Sequence, residues 1–243
     1  MKIYCLQHDP AVTAGTLPEW AKKRNINFIT IALYNESFFQ PVPDEDDALI
    51  ILGGPMNIYE TEKYPFLNDS RKIIKDFIDA GNKVFGICLG AQLISDVMGA
   101  KVVRNDHKEI GWWEVQIRNT GLFVDYPPLP FLFHWHEDVF ELPDGALLWA
   151  STGISSHQAY TLGENVLAVQ FHPEVDEVLI ETFLNNDSKS KNPSSGQGPY
   201  SQSAGEIKTL NKEYLSLNKN YFFALLDNFL GTIEGGPYKN RLI

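Results

Sequence analysis

The sequence has few cysteines, no long apolar run and comparatively little basic charge, and each shortage excludes a class of protein. Two of its 243 residues are cysteine, Cys5 and Cys88, which is too few for the disulfide framework of a small secreted fold. No apolar stretch approaches the roughly 20 residues that a transmembrane helix needs. The apolar stretch near the N-terminus is also too short for the core of a signal peptide. We therefore expect a cytoplasmic protein.

Acidic side chains dominate the charge of the chain. Asp and Glu number 31 and Lys and Arg 20, so the formal net charge is −11. Such a surface repels phosphate backbones and anionic lipid, and we expect neither a nucleic acid nor a membrane as partner. The hydrophobic fraction of 44% is ordinary for a globular protein. The length predicts one domain over residues 1–243.

Strand-like apolar runs alternate with amphipathic segments through the first hundred residues. This alternation predicts an α/β fold, with an open, mostly parallel sheet and helices on both faces. Thr16, followed by Pro18 and Glu19, has the pattern of a helix start with Thr16 as its cap. The predicted strands are residues 3–6, 28–32, 48–52, 83–87, 159–160 and 166–171, with further short ones at 115–117 and 139–140. The predicted helices are residues 70–80 and 89–98.

The last quarter of the chain has a different composition. Residues 185–206 are rich in Ser, Gly, Asn and Pro, which predicts a mobile surface loop within the same domain. Residues 221–230 carry apolar side chains at helical spacing and predict a C-terminal helix.

Cys88 lies in the segment Gly86-Ile87-Cys88-Leu89-Gly90, between a predicted buried strand and a predicted helix. Small residues on either side of a nucleophile are what a nucleophile elbow requires, because strand and helix must approach closely there. A helix N-terminus also favours the thiolate form of a cysteine. Cys5 has no such context, so we interpret Cys5 as a core residue and Cys88 as a nucleophile.

The segment His172-Pro173-Glu174 supplies the two groups that a nucleophilic cysteine needs, a base and a residue that orients the base. Residues i and i+2 of an extended chain project to the same side, and Pro173 favours that conformation for His172. Since the segment follows a predicted strand, it is expected at the same edge of the sheet as Cys88.

An acyl-transfer site also needs donors for an oxyanion. The backbone N–H of Leu89 is one candidate, and the turn Gly53-Gly54-Pro55 could supply another, although an ordinary strand end explains that turn equally well. No cluster of His and Cys has metal-ligand spacing, so we expect no metal. His134 is interpreted as structural or solvated.

These motifs together resemble class I, triad-type glutamine amidotransferases, and the likeness is closest to stand-alone proteins similar to the glutaminase domain of GMP synthetase. The matching segments are residues 51–56, 86–92 and 170–174, with weaker matches at 108–112 and 134–138. The resemblance implies a flavodoxin-like fold and hydrolysis of the γ-carboxamide of glutamine through a cysteinyl thioester, without a cofactor.

The same resemblance implies roles for nine residues. The implied nucleophile, acid/base and orienter are Cys88, His172 and Glu174. The implied oxyanion donors are Gly54 and Leu89, and the implied substrate-binding residues are Gln92, His136, Glu137 and Asp138. Trp135 and Glu137 stand where the family more often has the small residues of Ser-His-Gly-Asp.

Three functions remain open on this sequence. A glutaminase would pass ammonia to a separate synthase subunit, since the chain has no phosphate loop of the Walker type. A γ-glutamyl hydrolase or peptidase would use the same three residues and release a different amine. A non-catalytic binding module on the same fold is the third, and the intact set of three residues argues against it.

Overall fold

A computed structural model describes residues 1–118, 131–190 and 192–232. The ten strands named in this part of the chain are β1 Lys2–Gln7, β2 Asn27–Ala32, β3 Ala48–Ile51, β4 Lys83–Ile87, β5 Val102–Glu114, β6 Gln116–Ile117, β7 Phe131–Phe140, β8 Leu147–Ser151, β9 Ala159–Leu162 and β10 Val166–Val169. The helices are α1 Leu17–Lys23, α2 Phe66–Asp79, α3 Leu89–Val97, α4 Glu177–Ser188 and α5 Ala204–Leu230.

Eight strands form one sheet in the order β2-β1-β3-β4-β10-β9-β8-β6. The five strands from β2 to β10 pair in parallel, and β9, β8 and β6 extend the sheet by antiparallel pairing. Strands β5 and β7 form a separate antiparallel pair. The predicted α/β fold with an open, mostly parallel sheet is confirmed.

Helices cover both faces of this sheet, and the alternation of side chains along β1 shows how. Ile3 and Cys5 pack in a core with α1 and α5, whereas Tyr4 and Leu6 pack in a second core with α2 and α3. Because the strand is covered on both faces, successive residues enter two different apolar cores, and such strands appear in the sequence as apolar runs. Cys5 is fully buried mid-strand, as predicted.

The C-terminal region departs from the predicted organisation. The predicted loop at 185–206 is wrong at both ends, because α4 continues to Ser188 and α5 begins at Ala204. The predicted helix at 221–230 is only the last part of α5, which has 27 residues. The carboxylate of Asp187 accepts hydrogen bonds from the backbone N–H groups of Ser194 and Ser195 and so ties the connecting segment to α4.

None of the helices in the described ranges combines the length and the apolar character that crossing a membrane requires.

Candidate functional site

Cys88 occupies a sharp turn at the carboxyl end of the central strand β4, directly before α3. Its backbone has φ 52° and ψ −109°, a strained conformation for a residue other than glycine. The flanking glycines allow this turn. A Cβ at Gly90 would collide with the carbonyl group of Ile51, and a Cβ at Gly86 would lie 2.7 Å from the backbone nitrogen of Ala91. The Cys88 side chain is therefore presented at the first turn of α3 by an unusually close strand–helix contact.

His172 and Glu174 lie side by side after β10, as the i, i+2 spacing predicts. His172 Nδ1 is 2.8 Å from Glu174 Oε1, and both residues are almost completely buried. Burial on its own lowers the pKa of His172, but the Glu174 carboxylate and the Cys88 side chain, which also hydrogen-bonds the imidazole, favour the imidazolium more strongly and raise the pKa to about 10. The imidazole is thus set between a carboxylate and a thiol.

The glycine turn after β3 completes this arrangement. A Cβ placed on Gly53 would lie 3.0 Å from His172 Cε1 and 3.4 Å from Cys88 Cβ, so this turn packs directly against both side chains. Three sequence segments that are far apart in the chain therefore meet at one edge of the parallel sheet, where the strands end. This edge is the usual location of ligand sites in open α/β sheets.

A cavity of about 470 Å³ opens at this edge. Of the nine residues singled out from the sequence, eight line it, and Glu174 is fully buried in contact with His172. The lining residues among the nine are Gly54, Cys88, Leu89, Gln92, His136, Glu137, Asp138 and His172. The residues singled out from the sequence therefore gather around this cavity.

The expected substrate-binding side chains have internal partners. Gln92 Nε2 donates to the carbonyl oxygen of Asp138 at 3.0 Å and to Gln170 Oε1 at 3.3 Å. The Glu137 carboxylate is ion-paired with Arg104 and lies 3.8 Å from Lys108 Nζ. Glu137 therefore does not project as a free charge.

Sequence reasoning missed a buried polar cluster next to the cavity, formed by Glu109, His134 and His136. His136 Nε2 lies 3.2 Å from Glu109 Oε2 and 3.4 Å from His134 Nδ1. These residue types can hold a metal. The Glu109 carboxylate, however, also accepts hydrogen bonds from Thr152 and Gln158, both at 2.6 Å. Protein donors therefore satisfy this buried carboxylate.

The protonation states in this cluster follow from burial and from those contacts. Burial would raise the pKa of Glu109, but the hydrogen bond from His136 and the two nearby imidazoles lower it to about 2. Burial lowers the pKa of His134 to about 3, so His134 is neutral at physiological pH. His134 was expected to be structural or solvated, and its complete burial excludes only the solvated alternative. Pairing of β5 with β7 sets Glu109 opposite His136, and the i, i+2 spacing of the two histidines was the signal that could have found the cluster.

Aromatic side chains line the cavity beside His172. The Phe183 ring meets the His172 imidazole edge-on, with ring centres 5.4 Å apart. The ring centre of Trp135 lies 5.5 Å from that of Phe183. Phe183 belongs to α4, which the sequence pattern did not reveal, so this contribution to the site was missed.

The backbone of the His172–Glu174 segment is held by neighbouring elements. The N–H of His172 donates to the carbonyl oxygen of Phe133 in β7 at 2.7 Å. The carbonyl oxygen of Glu174 accepts from both the N–H and the hydroxyl of Thr16, at 2.8 and 3.1 Å. Helix α1 begins directly after Thr16, which is its N-cap residue as predicted, but the Thr16 hydroxyl donates to Glu174 and makes no capping hydrogen bond to the helix.

Comparisons with known proteins identify the family to which this fold belongs. A family model for class I glutamine amidotransferases matches residues 22–187. The glutamine amidotransferase-like protein YfeJ of Salmonella typhimurium is 28% identical over 224 residues, covering 89% of this chain and 93% of that protein. The glutamine-hydrolyzing GMP synthase of Brachyspira hyodysenteriae is 33% identical over 150 residues, which span 58% of this chain but only 28% of the synthase.

Solved structures show the same fold. A glutamine amidotransferase from Thermotoga maritima superposes with a TM-score of 0.82 at 24% identity, covering 95% of this chain and 98% of that chain. A glutamine amidotransferase from Methylobacillus flagellatus gives a TM-score of 0.83 at 22% identity, with coverage of 96% and 95%. Because the family model covers more than half of the sequence, and a relative of nearly equal length agrees, the chain belongs to the class I glutamine amidotransferase family.

Proposed function

We propose that this protein hydrolyses the γ-carboxamide of glutamine through a thioester on Cys88, releasing glutamate and ammonia. The observation that carries the proposal is the geometry of three side chains. Cys88 is held at a strained strand-to-helix turn beside His172, whose Nδ1 is hydrogen-bonded to the buried carboxylate of Glu174. A thiol, a base and a group that orients the base are the parts that nucleophilic catalysis by cysteine requires.

The reaction divides into acylation and deacylation. The Cys88 thiolate attacks the γ-carbonyl carbon, and the carbonyl electron pair moves to oxygen, where the N–H groups of Gly54 and Leu89 are proposed to stabilise the oxyanion. The tetrahedral intermediate collapses, the C–N bond breaks, and the leaving nitrogen takes a proton from the His172 imidazolium to depart as ammonia. Water, deprotonated by His172, then attacks the thioester and releases glutamate and the thiol.

The electrostatics of the site support this cycle. Since the pKa of His172 is raised to about 10, the imidazole carries its proton at neutral pH and can donate it to the leaving nitrogen. The same positive charge stabilises the thiolate form of Cys88. Glu174 is proposed to hold the ring so that its other nitrogen faces the sulfur.

Glutamine is the proposed substrate because the GMP synthase relative is glutamine-hydrolyzing. The match covers only 28% of that relative. We propose a separate synthase subunit as the acceptor of the ammonia. The implied setting is the cytoplasm, and Gln92, His136, Glu137 and Asp138 are the proposed contacts to the substrate.

A second candidate is hydrolysis of γ-glutamyl compounds with a leaving group larger than ammonia. The specific observation behind it is the cavity, whose volume of about 470 Å³ falls in the range of pockets that hold drug-sized ligands. Trp135 and Phe183 line this cavity beside His172 and could pack against such a leaving group.

One experiment separates these functions. The purified protein is incubated with glutamine and, in parallel, with γ-glutamyl peptides, and glutamate release is measured for wild type, Cys88→Ala and Cys5→Ala. Glutamine turnover that is lost in Cys88→Ala but kept in Cys5→Ala supports the proposal. Turnover of peptides alone would replace it with the second candidate.

A glutamine-like electrophile provides a readout that needs no synthase partner. Covalent labelling at Cys88, followed by peptide mass analysis, is expected for either enzyme. If neither substrate turns over and Cys88 stays unlabelled, the protein is a non-catalytic binding module.

A further inference from the structure

The hydrogen bond between Asn218 of α5 and the carbonyl oxygen of Pro173 lies next to the His172–Glu174 pair. Asn218 Nδ2 donates to this oxygen at 2.8 Å, and the asparagine is completely buried. We propose that Asn218 is a positioning residue, which sets the orientation of Glu174 toward His172. This inference rests on the proposed function of the same site.

Pro173 makes this contact consequential. Its ring fixes φ, so the torsion that still relates His172 to Glu174 at this residue is ψ of Pro173. Rotation about ψ swings the carbonyl oxygen of Pro173 together with the peptide that leads to Glu174. A hydrogen bond to that oxygen therefore fixes the torsion and, through it, the direction of the Glu174 carboxylate.

The contact completes a set of anchors on the segment. The N–H of His172 donates to the carbonyl oxygen of Phe133, and the carbonyl oxygen of Glu174 accepts from Thr16. Pro173 has no backbone N–H, so its carbonyl oxygen is the only backbone group through which a hydrogen bond can hold it. Asn218 thus holds the one central carbonyl between two anchored residues. The chain brings this donor from 45 residues away.

Local stability does not explain an asparagine at this position. Asn218 lies inside a 27-residue helix, where asparagine is a poorer helix former than leucine. Its neighbours Tyr221 and Phe222 are buried apolar side chains. Its Oδ1 has no hydrogen-bond partner among residues 1–118, 131–190 and 192–232, and a buried polar atom of that kind is costly. A leucine would suit the helix and the core better, so the amide is best explained by what its Nδ2 binds.

Both distant anchors come from outside the segment that defines the family. The family model matches residues 22–187, whereas Thr16 and Asn218 lie before and after it. The part of α5 that carries Asn218 therefore acts, in this proposal, as a support for the site.

The test replaces Asn218 by leucine, which keeps the size and removes the donor, and by aspartate, which keeps the shape and presents a carboxylate to the carbonyl. We expect kcat for glutamine to fall about tenfold with an unchanged KM, as for loss of one hydrogen bond that acts on the chemical step. The alkaline limb of the kcat–pH profile should move to lower pH, because a misaligned Glu174 stabilises the imidazolium less. The pKa of His172, followed by NMR of the ring nitrogens without substrate, should fall in both variants.

Asn82 provides the matched control. It is a buried asparagine whose Nδ2 donates to the backbone oxygens of Asp44 and Asp47, on a part of the chain that does not line the cavity. Asn82→Leu should lower the melting temperature but leave kcat and the pKa of His172 unchanged. Wild-type kcat and an unmoved His172 titration in Asn218→Leu and Asn218→Asp would overturn the inference. Because the titration needs no substrate, it still decides the matter if the wild type fails to hydrolyse glutamine, which would count against the proposed function alone.

Discussion

Replacement of Glu174 by glutamine tests the electrostatics of the site most sharply. The substitution keeps the shape of the side chain and removes the charge 2.8 Å from His172 Nδ1. Burial, which lowers the pKa of His172, would then be opposed mainly by Cys88. We therefore expect the pKa of His172 to fall from about 10, and the imidazolium to lose its proton within the working pH range.

The size of the effect follows from the structure. The difference between a pKa of about 10 and the ordinary value of 6.5 corresponds to a preference for the imidazolium of roughly 5 kcal/mol. Glu174 is the largest of the contributions that raise it. General acid–base catalysis by a positioned group contributes about 10²–10⁴-fold, and a loss of kcat in that range is expected for Glu174→Gln.

The substitution should also change how stability depends on pH. A raised pKa in the folded state stabilises the protein fully below pH 6.5, and this contribution is lost as the pH rises through about 10. Melting temperatures measured across this window should therefore decline less steeply in Glu174→Gln than in wild type.

The assay combines kcat–pH profiles for glutamate release with NMR titration of His172. Asp47→Asn is the control for removal of a buried carboxylate, since Asp47 accepts from the backbone of Lys2 and does not line the cavity. Asp47→Asn should leave kcat unchanged. An unaltered alkaline limb in Glu174→Gln, or an equal loss of kcat in the control, would refute the role assigned to Glu174.

Two glycine substitutions should separate effects on chemistry from effects on folding. In Gly54→Ala the new Cβ would lie 2.6 Å from Met56 Sδ and 2.8 Å from Leu89 Cδ2, which are ends of movable side chains, so the fold should persist. The displaced oxyanion donor should still lower kcat, by up to about 10²–10³-fold if the donor is lost; wild-type kcat would remove Gly54 from that role. In Gly90→Ala the new Cβ would meet the carbonyl group of Ile51, which cannot move without the sheet. We expect that variant to lose about 1–3 kcal/mol of stability in chemical denaturation, and an unchanged midpoint would show that the elbow is less crowded than described.

Much of the first half of the fold could be predicted because its strands are buried on both faces. Strand β4 has the predicted bounds, and the ends of β1 to β3 differ from the predicted ends by no more than one residue. Helix α4 and most of α5 were missed, since the Ser- and Gly-rich composition around residue 195 masked them. The capping box of Ser203 and Glu206, which the structure shows at the start of α5, was a readable signal in the sequence.

The position of the candidate site was predictable for a different reason. The turn at Cys88 and the spacing of His172 and Glu174 are local properties, and parallel strands bring such local features to one edge of the sheet. The contacts from Thr16, Phe183 and Asn218 depend on which distant segments pack together, and no spacing in the sequence encodes that. The pairing that sets Glu109 opposite His136 is likewise a property of the β5–β7 register.

A thioester on Cys88 is the intermediate of the proposed reaction, and acid quenching during turnover tests for it directly. Wild-type protein mixed with glutamine is quenched, digested, and analysed by mass spectrometry for the peptides that contain Cys88 and Cys5. We expect one γ-glutamyl group on the Cys88 peptide, none on the Cys5 peptide, and accumulation of the adduct when deacylation is slowed. Glutamate release without any adduct on Cys88, or turnover that survives in Cys88→Ala, would contradict it.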